Sequence, residues 1–273
     1  MTRIRLALKQ APTLRVDLRT IAPASLAALE TAQIEQLTVT HGTQTLPLGE
    51  FFTVTRVSTA ADTVELILSG DLSRFDRIGW QLAAGRIVVE GSAGDYAGAC
   101  MSGGELHVHG SAGLLAACEM AGGTLTVDGN VGDHAASALP GSMDGMRGGT
   151  FIVRGSAGHR FADRMRRGTA LVFGDVGDFL ASRLVAGTIA VGGHCGAHIG
   201  YGMRRGSVVF AGAAPRVAPT FVPARGEAAV AWQLLARDLA RHGGPFAGLP
   251  SRRFERHLGD LSSDGRGELI VAV

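Results

Sequence analysis

A chain of 273 residues, 46% of them hydrophobic and few aromatic, can bury a large core without disulfides or a structural metal. Its formal net charge of +2 is too small to select nucleic acid as a partner. The first 20 residues lack an apolar signal region and no 18-residue apolar run occurs, so the expectation is a cytoplasmic protein with no membrane role.

Residues 1–62 read as a small α/β segment. IRLAL (4–8) and LRVDL (14–18) suit strands, and SLAALETAQIEQL (25–37) suits one helix capped by Ser25. Residues 65–84, ELILSGDLSRFDRIGWQLAA, read as a degenerate first unit of the array that follows, because terminal repeats of stacked arrays are atypical.

From Gly85 onward the chain repeats itself. Glycines 85, 104, 123, 149, 168, 187 and 206 each precede a short apolar run, and five of the six intervals are 19 residues. The sixth is 26, its seven extra residues falling within HAASALPGSMDG (134–145), whose Pro and glycines predict a projecting loop. The second residue of each unit (Ile87, Leu106, Leu125, Phe151, Ala170, Ile189, Val208) and the fourth (Val89 through Phe210) face inward by period-two alternation. Thr124, Thr150, Thr169 and Thr188 form an outward row. Further glycines stand at the sixth and ninth positions, and Met101, Met120, Met146, Met165, Leu184 and Met203 come three residues before the next starting glycine. The fold this predicts is mainly β: a right-handed parallel β-helix over residues 63–212, of seven to eight coils with mostly 19-residue repeats.

The outward third position becomes apolar in the later coils, through Ile152, Leu171, Ala190 and Val209, with Phe173 beside them. An appended segment or a partner must cover that face, and if it stays bare the isolated chain should aggregate. Residues 213–273 form a C-terminal extension. Its helix, around EAAVAWQLLARDLARHG (227–243), carries Ala229, Trp232, Leu235 and Leu239 on one side.

No catalytic constellation emerges. A phosphate loop of the form GxxxxGK[ST] is excluded, since Lys9 is the only lysine, and no GxSxG is present. The aspartates Asp95, Asp133 and Asp178 fall at corners and form no acid–base pair. Cys100, Cys118 and Cys195 form no CxxC pair and predict reduced thiols. In GHCGAHIG (193–200), His194 and His198 flank Cys195, but Cys195 occupies the eighth position, where other coils place inward Ala or Val, so no metal site is expected. His107 and His109 project from one strand, yet the third-position neighbours are Val88 and Thr126, which supply no further ligand. A surface pair is the expectation.

Arginine is the unusual residue. Residues 145–216 hold ten arginines against three aspartates. Arg147, the pair Arg166 and Arg167, and the pair Arg204 and Arg205 precede starting glycines, and Arg164 and Arg183 lie nearby. Stacking would align them as a ribbon: either a solvated face or a surface for an anionic carrier or acidic partner.

The repeated GGxhxVxGxxG units, each with Met before the next GG or RG, occur here with LGEFFTV (48–54) and LGDLSSDGRGELIV (258–271). Together they resemble the C subunit of formylmethanofuran dehydrogenase, and above all its bacterial counterpart in the formyltransferase/hydrolase complex. The repeat is also similar to the C-terminal domain of the large glutamate synthase subunit. The first resemblance spans essentially the whole chain. It implies a one-carbon complex in which a formyl group passes from formyl-tetrahydromethanopterin to a methanofuran-type carrier and leaves as formate. Amidohydrolase-like and formyltransferase subunits would be the partners that carry the chemistry, and this chain would be a non-catalytic assembly subunit binding no cofactor itself. Two alternatives stay open: the C subunit of a molybdenum or tungsten dehydrogenase, whose metal pterin sits on another subunit, and a stand-alone carrier-binding or carbohydrate-binding β-helix. The resemblance also implies a carrier with an acidic glutamyl tail, which the arginine ribbon would suit.

Overall fold

Segments with aliphatic or β-branched residues at alternate positions suit strands with one face buried. In the computed structural model, which describes residues 2–57, 64–224 and 228–273, the repeats supply seven such strands. They are Arg86–Glu90, Ser102–Val108, Gly122–Val127, Arg147–Val153, Arg167–Val172, Thr188–Val191 and Ser207–Phe210, and each pairs in parallel with the next. The register preserves the repeat. Leu106 lies between Ile87 and Leu125, and Phe151 between Leu125 and Ala170. The longer interval changes nothing in the ladder, since Val127 still pairs with Val153 and the extra residues loop away.

A second parallel ladder of single bridges joins the eighth positions, from Leu72 through Ala93, Ala112, Val131, Ala157 and Val176 to Cys195. Beside it the seventh-position side chains tie one unit to the next. Ser92 Oγ accepts from Ser111 N at 3.2 Å, Asn130 Oδ1 from Ser156 N at 2.8 Å, and Asp175 Oδ1 from His194 N at 2.7 Å. The corner aspartates do the same three residues later: Asp95, Asp133 and Asp178 accept from the backbones of Leu114, His159 and Ala197. Their carboxylates satisfy backbone donors that strand pairing leaves open.

Glycine serves two different ends. A starting glycine such as Gly187 has φ +114°, which side-chain-bearing residues rarely adopt. A sixth-position glycine such as Gly193 is needed for close approach, because a Cβ there would sit 2.5 Å from the carbonyl carbon of Gly174. Between them the corner itself is built from left-handed residues that are not glycine, including Ala117, Glu119, Ala162, Arg164, Ala181 and Arg183. Inward apolar residues and the methionines form one contiguous core with the N-terminal residues Val16, Ile34, Val39 and Phe52.

The repeat strands belong to a 13-stranded sheet that extends past both ends of the array. Val64–Ser69 pairs in parallel with Arg86–Glu90 and with Thr2–Leu8, and Phe52–Val57 closes that edge antiparallel. At the other end Gly267–Ala272 pairs in parallel with Ser207–Phe210, placing Leu269 beside Val208. Phe254–Gly259 then closes it antiparallel, followed by Val222–Pro223. Thus the N-terminal and C-terminal strands continue the sheet. A four-stranded sheet of Gln44–Pro47, Thr38–His41, Val16–Asp17 and Phe75–Asp76 lies beside the first repeat. The boundary expected at residues 62 and 63, and Glu227 at the head of the expected helix, lie outside the described residues.

Two expectations about helices need correction. The single helix over 25–37 is two short ones, Pro23–Leu26 and Thr31–Glu35. Glu30 between them is extended, and its N–H donates to Gln33 Oε1 at 2.8 Å, starting a new helix in mid-segment. Ser25 lies inside the first helix, where its hydroxyl accepts from Ala22 N at 3.1 Å, and is no N-cap. The C-terminal helix is Ala229–Ala240; Trp232, Ala236 and Leu239 are buried, while Ala229 is exposed.

That helix answers the question of the apolar row. Trp232, Ala236 and Leu239 join Leu171, Ala190, Val209, Phe246 and Ile270 in a second apolar cluster, with Ile152 and Phe173 at its edge. Trp232 Nε1 donates to the Arg252 carbonyl at 3.1 Å, so its polar end is also satisfied. The row is covered by the chain's own tail, and the expectation that a bare row drives aggregation loses its basis. Among the described residues, no helix is long and apolar enough to cross a membrane.

Placing a charge in the second cluster should dislodge the helix. Leu239→Asp should cost about 3 kcal/mol or more, read as a lower urea midpoint, while Leu234→Asp on the exposed side of the same helix should change stability by less than about 0.5 kcal/mol. Thiol chemistry tests the core independently. Burial pushes Cys118 and Cys195 up to about 12, so at pH 8 only on the order of 10⁻⁴ of each is thiolate. A disulfide reagent at pH 8 should therefore label Cys100 first, and label all three cysteines only in denaturant.

Candidate functional site

Identical spacing in successive units stacks whatever residue precedes the starting glycine. At the two positions before it, four consecutive units carry Arg147 with Gly148, Arg166 with Arg167, Val185 with Ala186, and Arg204 with Arg205. Arg147 pairs with Arg167 in the strand register. The short apolar pair between two arginine pairs leaves a notch. With strands about 4.8 Å apart, the flanking arginine pairs stand about 10 Å apart, room for one carboxylate or phosphate to be gripped from both sides.

The notch is a hollow of about 540 Å³ floored by Val185 and Ala186 and walled by Arg147, Arg166, Arg167, Arg204 and Arg205. It runs into a second hollow of about 560 Å³, which shares Arg166, Val185 and Arg204 and adds Arg164, Arg183, Met143 and Tyr201. All seven arginines singled out from the sequence therefore line one continuous groove.

Some of these charges are held in place. Asp163, buried beneath the groove, accepts a bidentate pair from Arg183 at 3.1 and 3.1 Å and lies 3.7 Å from Arg164 Nε. Arg166 Nε bonds Asp144 of the projecting loop, and Arg147 lies 3.8 Å from Glu119. Arg167, Arg204 and Arg205 have no carboxylate within 4 Å among the described residues. The groove keeps a net positive charge, with planar guanidinium forks suited to carboxylates and phosphates. Sequence reasoning missed the loop's part: the seven extra residues bring Met143 and Asp144 onto the basic surface.

The other sequence candidates separate clearly. His194 sits 3.4 Å from Asp175, His198 stacks on Phe179, and Cys195 is held in the eighth-position ladder, so the three do not converge. His107 and His109 do not lack a third partner. Asp128 Oδ2 is 2.8 Å from His107 Nε2, and the ligand atoms of His107, His109 and Asp128 all lie within 4.8 Å of one another. Reading the third-position ladder alone hides this, because Asp128 stands at the fifth position of the next unit and reaches His107 diagonally.

A family model described as GXGXG motif matches residues 54–221. The chain is 40% identical over 96 residues to the C subunit of the molybdenum-containing formylmethanofuran dehydrogenase 1 of Methanosarcina barkeri, covering 34% of this chain and 32% of that protein. It is 32% identical over 100 residues to the C subunit of the tungsten-containing formylmethanofuran dehydrogenase 2 of Methanothermobacter wolfeii, covering 36% and 37%. The chain thus spans about a third of the length of the curated relatives it matches. A chain in the crystal structure of the formyltransferase/hydrolase complex from Methylorubrum extorquens, solved in complex with methylofuran, superposes with a TM-score of 0.89 at 38% identity. That match covers 98% of this chain and 99% of the other.

Proposed function

The chain belongs to the GXGXG-motif family and is homologous to the C subunit of formylmethanofuran dehydrogenase, and from that premise we propose that it is the non-catalytic, structural subunit of a cytoplasmic formyltransferase/hydrolase complex. In that complex a formyl group passes from formyl-tetrahydromethanopterin to a methanofuran-type carrier and leaves as formate. Amidohydrolase-like and formyltransferase subunits are its partners and hold the reacting groups. The observation that carries this reading is the near-complete mutual coverage, 98% and 99%, with a chain of such a complex. The matches to dehydrogenase subunits, at about a third of their length, support the dehydrogenase reading less far.

The repeats wind as a right-handed parallel β-helix over residues 63–212, flanked by the segments 1–62 and 213–273. Two parallel ladders at fixed positions of one repeat support that architecture. The molybdenum or tungsten of the dehydrogenases finds no fit in this chain's thiols, since no thiol belongs to the convergent ligand set among the described residues. Full formyl-transfer turnover by the isolated chain would overturn the structural assignment.

In this reading the arginine groove holds the acidic tail of the carrier, or an acidic partner, by charge-assisted hydrogen bonds. Replacing Arg166, Arg167, Arg204 and Arg205 together with Gln removes exposed charge while leaving the core, so the chain should fold as before. An intact complex with a KM raised about tenfold or more for the glutamylated carrier at low salt, narrowing as salt rises, assigns the groove to the carrier. Loss of co-purification assigns it to a partner. Normal assembly with unchanged turnover at low and moderate salt means the groove is a solvated face.

A further inference from the structure

We propose that His107, His109 and Asp128 bind one divalent transition-metal ion of the zinc class, clipped between two adjacent strands of the parallel sheet. The placement follows from register. Val108 pairs with Val127, so the residues that follow them, His109 and Asp128, leave their strands side by side, and His107 projects to the same face two residues earlier. Any pair of ligand atoms in the set lies within 4.8 Å, the closest being His107 Nε2 and Asp128 Oδ2 at 2.8 Å. The imidazole rings meet edge to face with centroids 4.4 Å apart. Bonds of about 2.0–2.2 Å to one ion require donor atoms roughly 3.3–3.6 Å apart, which small rotations of these partly exposed side chains supply.

The surroundings favour this set. Arg154, one unit on, lies 3.6 Å from Asp128 Oδ1 and holds the carboxylate so that Oδ2 faces the histidines. The guanidinium is itself fixed over the Phe173 ring at 5.1 Å. On the other side Glu90 is occupied by Arg5, at 2.9 and 3.0 Å, and by Ser69 at 2.7 Å, which leaves the triad as the ligand set. Two imidazoles and one carboxylate select zinc, cobalt or nickel over calcium or magnesium, which need more oxygen donors. The side chains of His107 and Asp128 are 32% and 34% exposed, so water completes the coordination sphere. A simple hydrogen-bonded His107–Asp128 pair would have no use for His109, which sits beside it as the third donor.

The full chain, freed of any affinity tag and stripped with chelator, is titrated with ZnCl2 by calorimetry and with CoCl2 by visible absorption. One equivalent should saturate the wild-type protein, and cobalt should give bands of a low-coordinate nitrogen and oxygen site. His109→Gln, an exposed substitution that leaves the His107–Asp128 hydrogen bond intact, should weaken binding by about 100-fold or more with an unchanged circular dichroism spectrum. His194→Gln with His198→Gln should leave it unaltered. Failure of the wild-type chain to bind an equivalent, wild-type affinity in His109→Gln, or loss of binding only in the His194 and His198 variant would each overturn the assignment.

Discussion

The close approach of one unit's backbone to the next governs the rest of this structure. At the sixth position the neighbouring main chains leave no space for a Cβ, and the side chains one place later accept hydrogen bonds from the following unit. With the register fixed at these points, the strands between them have no freedom to slip, and every position of the repeat becomes a straight row. Apolar rows make the core. Polar rows satisfy backbone donors at the corners, where pairing between strands stops.

The same constraint makes surface chemistry additive. A single arginine before a starting glycine would be an ordinary solvated charge, but repeated at the same offset it meets another guanidinium one strand away. Like charges that close repel, and the structure relieves the repulsion in two ways: the unit with Val185 and Ala186 interrupts the row, and Asp163 is buried beneath Arg164 and Arg183. Arg167, Arg204 and Arg205 remain without a carboxylate partner among the described residues. Repulsion is thereby lowered without being abolished.

The sequence made the repeat legible because the pattern is dense: starting glycine, two alternate apolar positions, a sixth-position glycine. Where that density falls, legibility falls with it. Gly267, Leu269 and Val271 obey the same spacing and form the next rung, but they stand 61 residues beyond Gly206 and lack the sixth-position glycine, so the segment reads as tail. The left-handed corners at Ala117, Ala162 and Arg164 were invisible because alanine and arginine carry no turn signal; stacking on neighbouring units imposes their conformation. The split of the first helix turned on Gln33 reaching back to Glu30, a local bond that propensity over 13 residues conceals. In the candidate site the arginine ribbon followed from one offset repeated. Asp128 beside His107 did not, since it joins different positions of different units, and neither did Asp144, which arrives on a loop outside the repeat.

Self-sufficiency of the core narrows what an assembly can use. The chain's own strands extend the sheet antiparallel past both ends of the array, and the C-terminal helix covers the apolar row, so among the described residues that row is not left bare for a partner. Of the large apolar side chains that stay exposed, Met143 at 70% and Tyr201 at 59% line the arginine groove. An exposed aromatic, a methionine and several arginines on one concave surface is the composition that concentrates binding energy at protein interfaces, because each offers large contact area together with a directed or adaptable contact. A partner seated there would desolvate the arginines and strengthen their grip on any carboxylate enclosed with them, so docking and capture of an acidic chain need not compete for this groove and can reinforce one another.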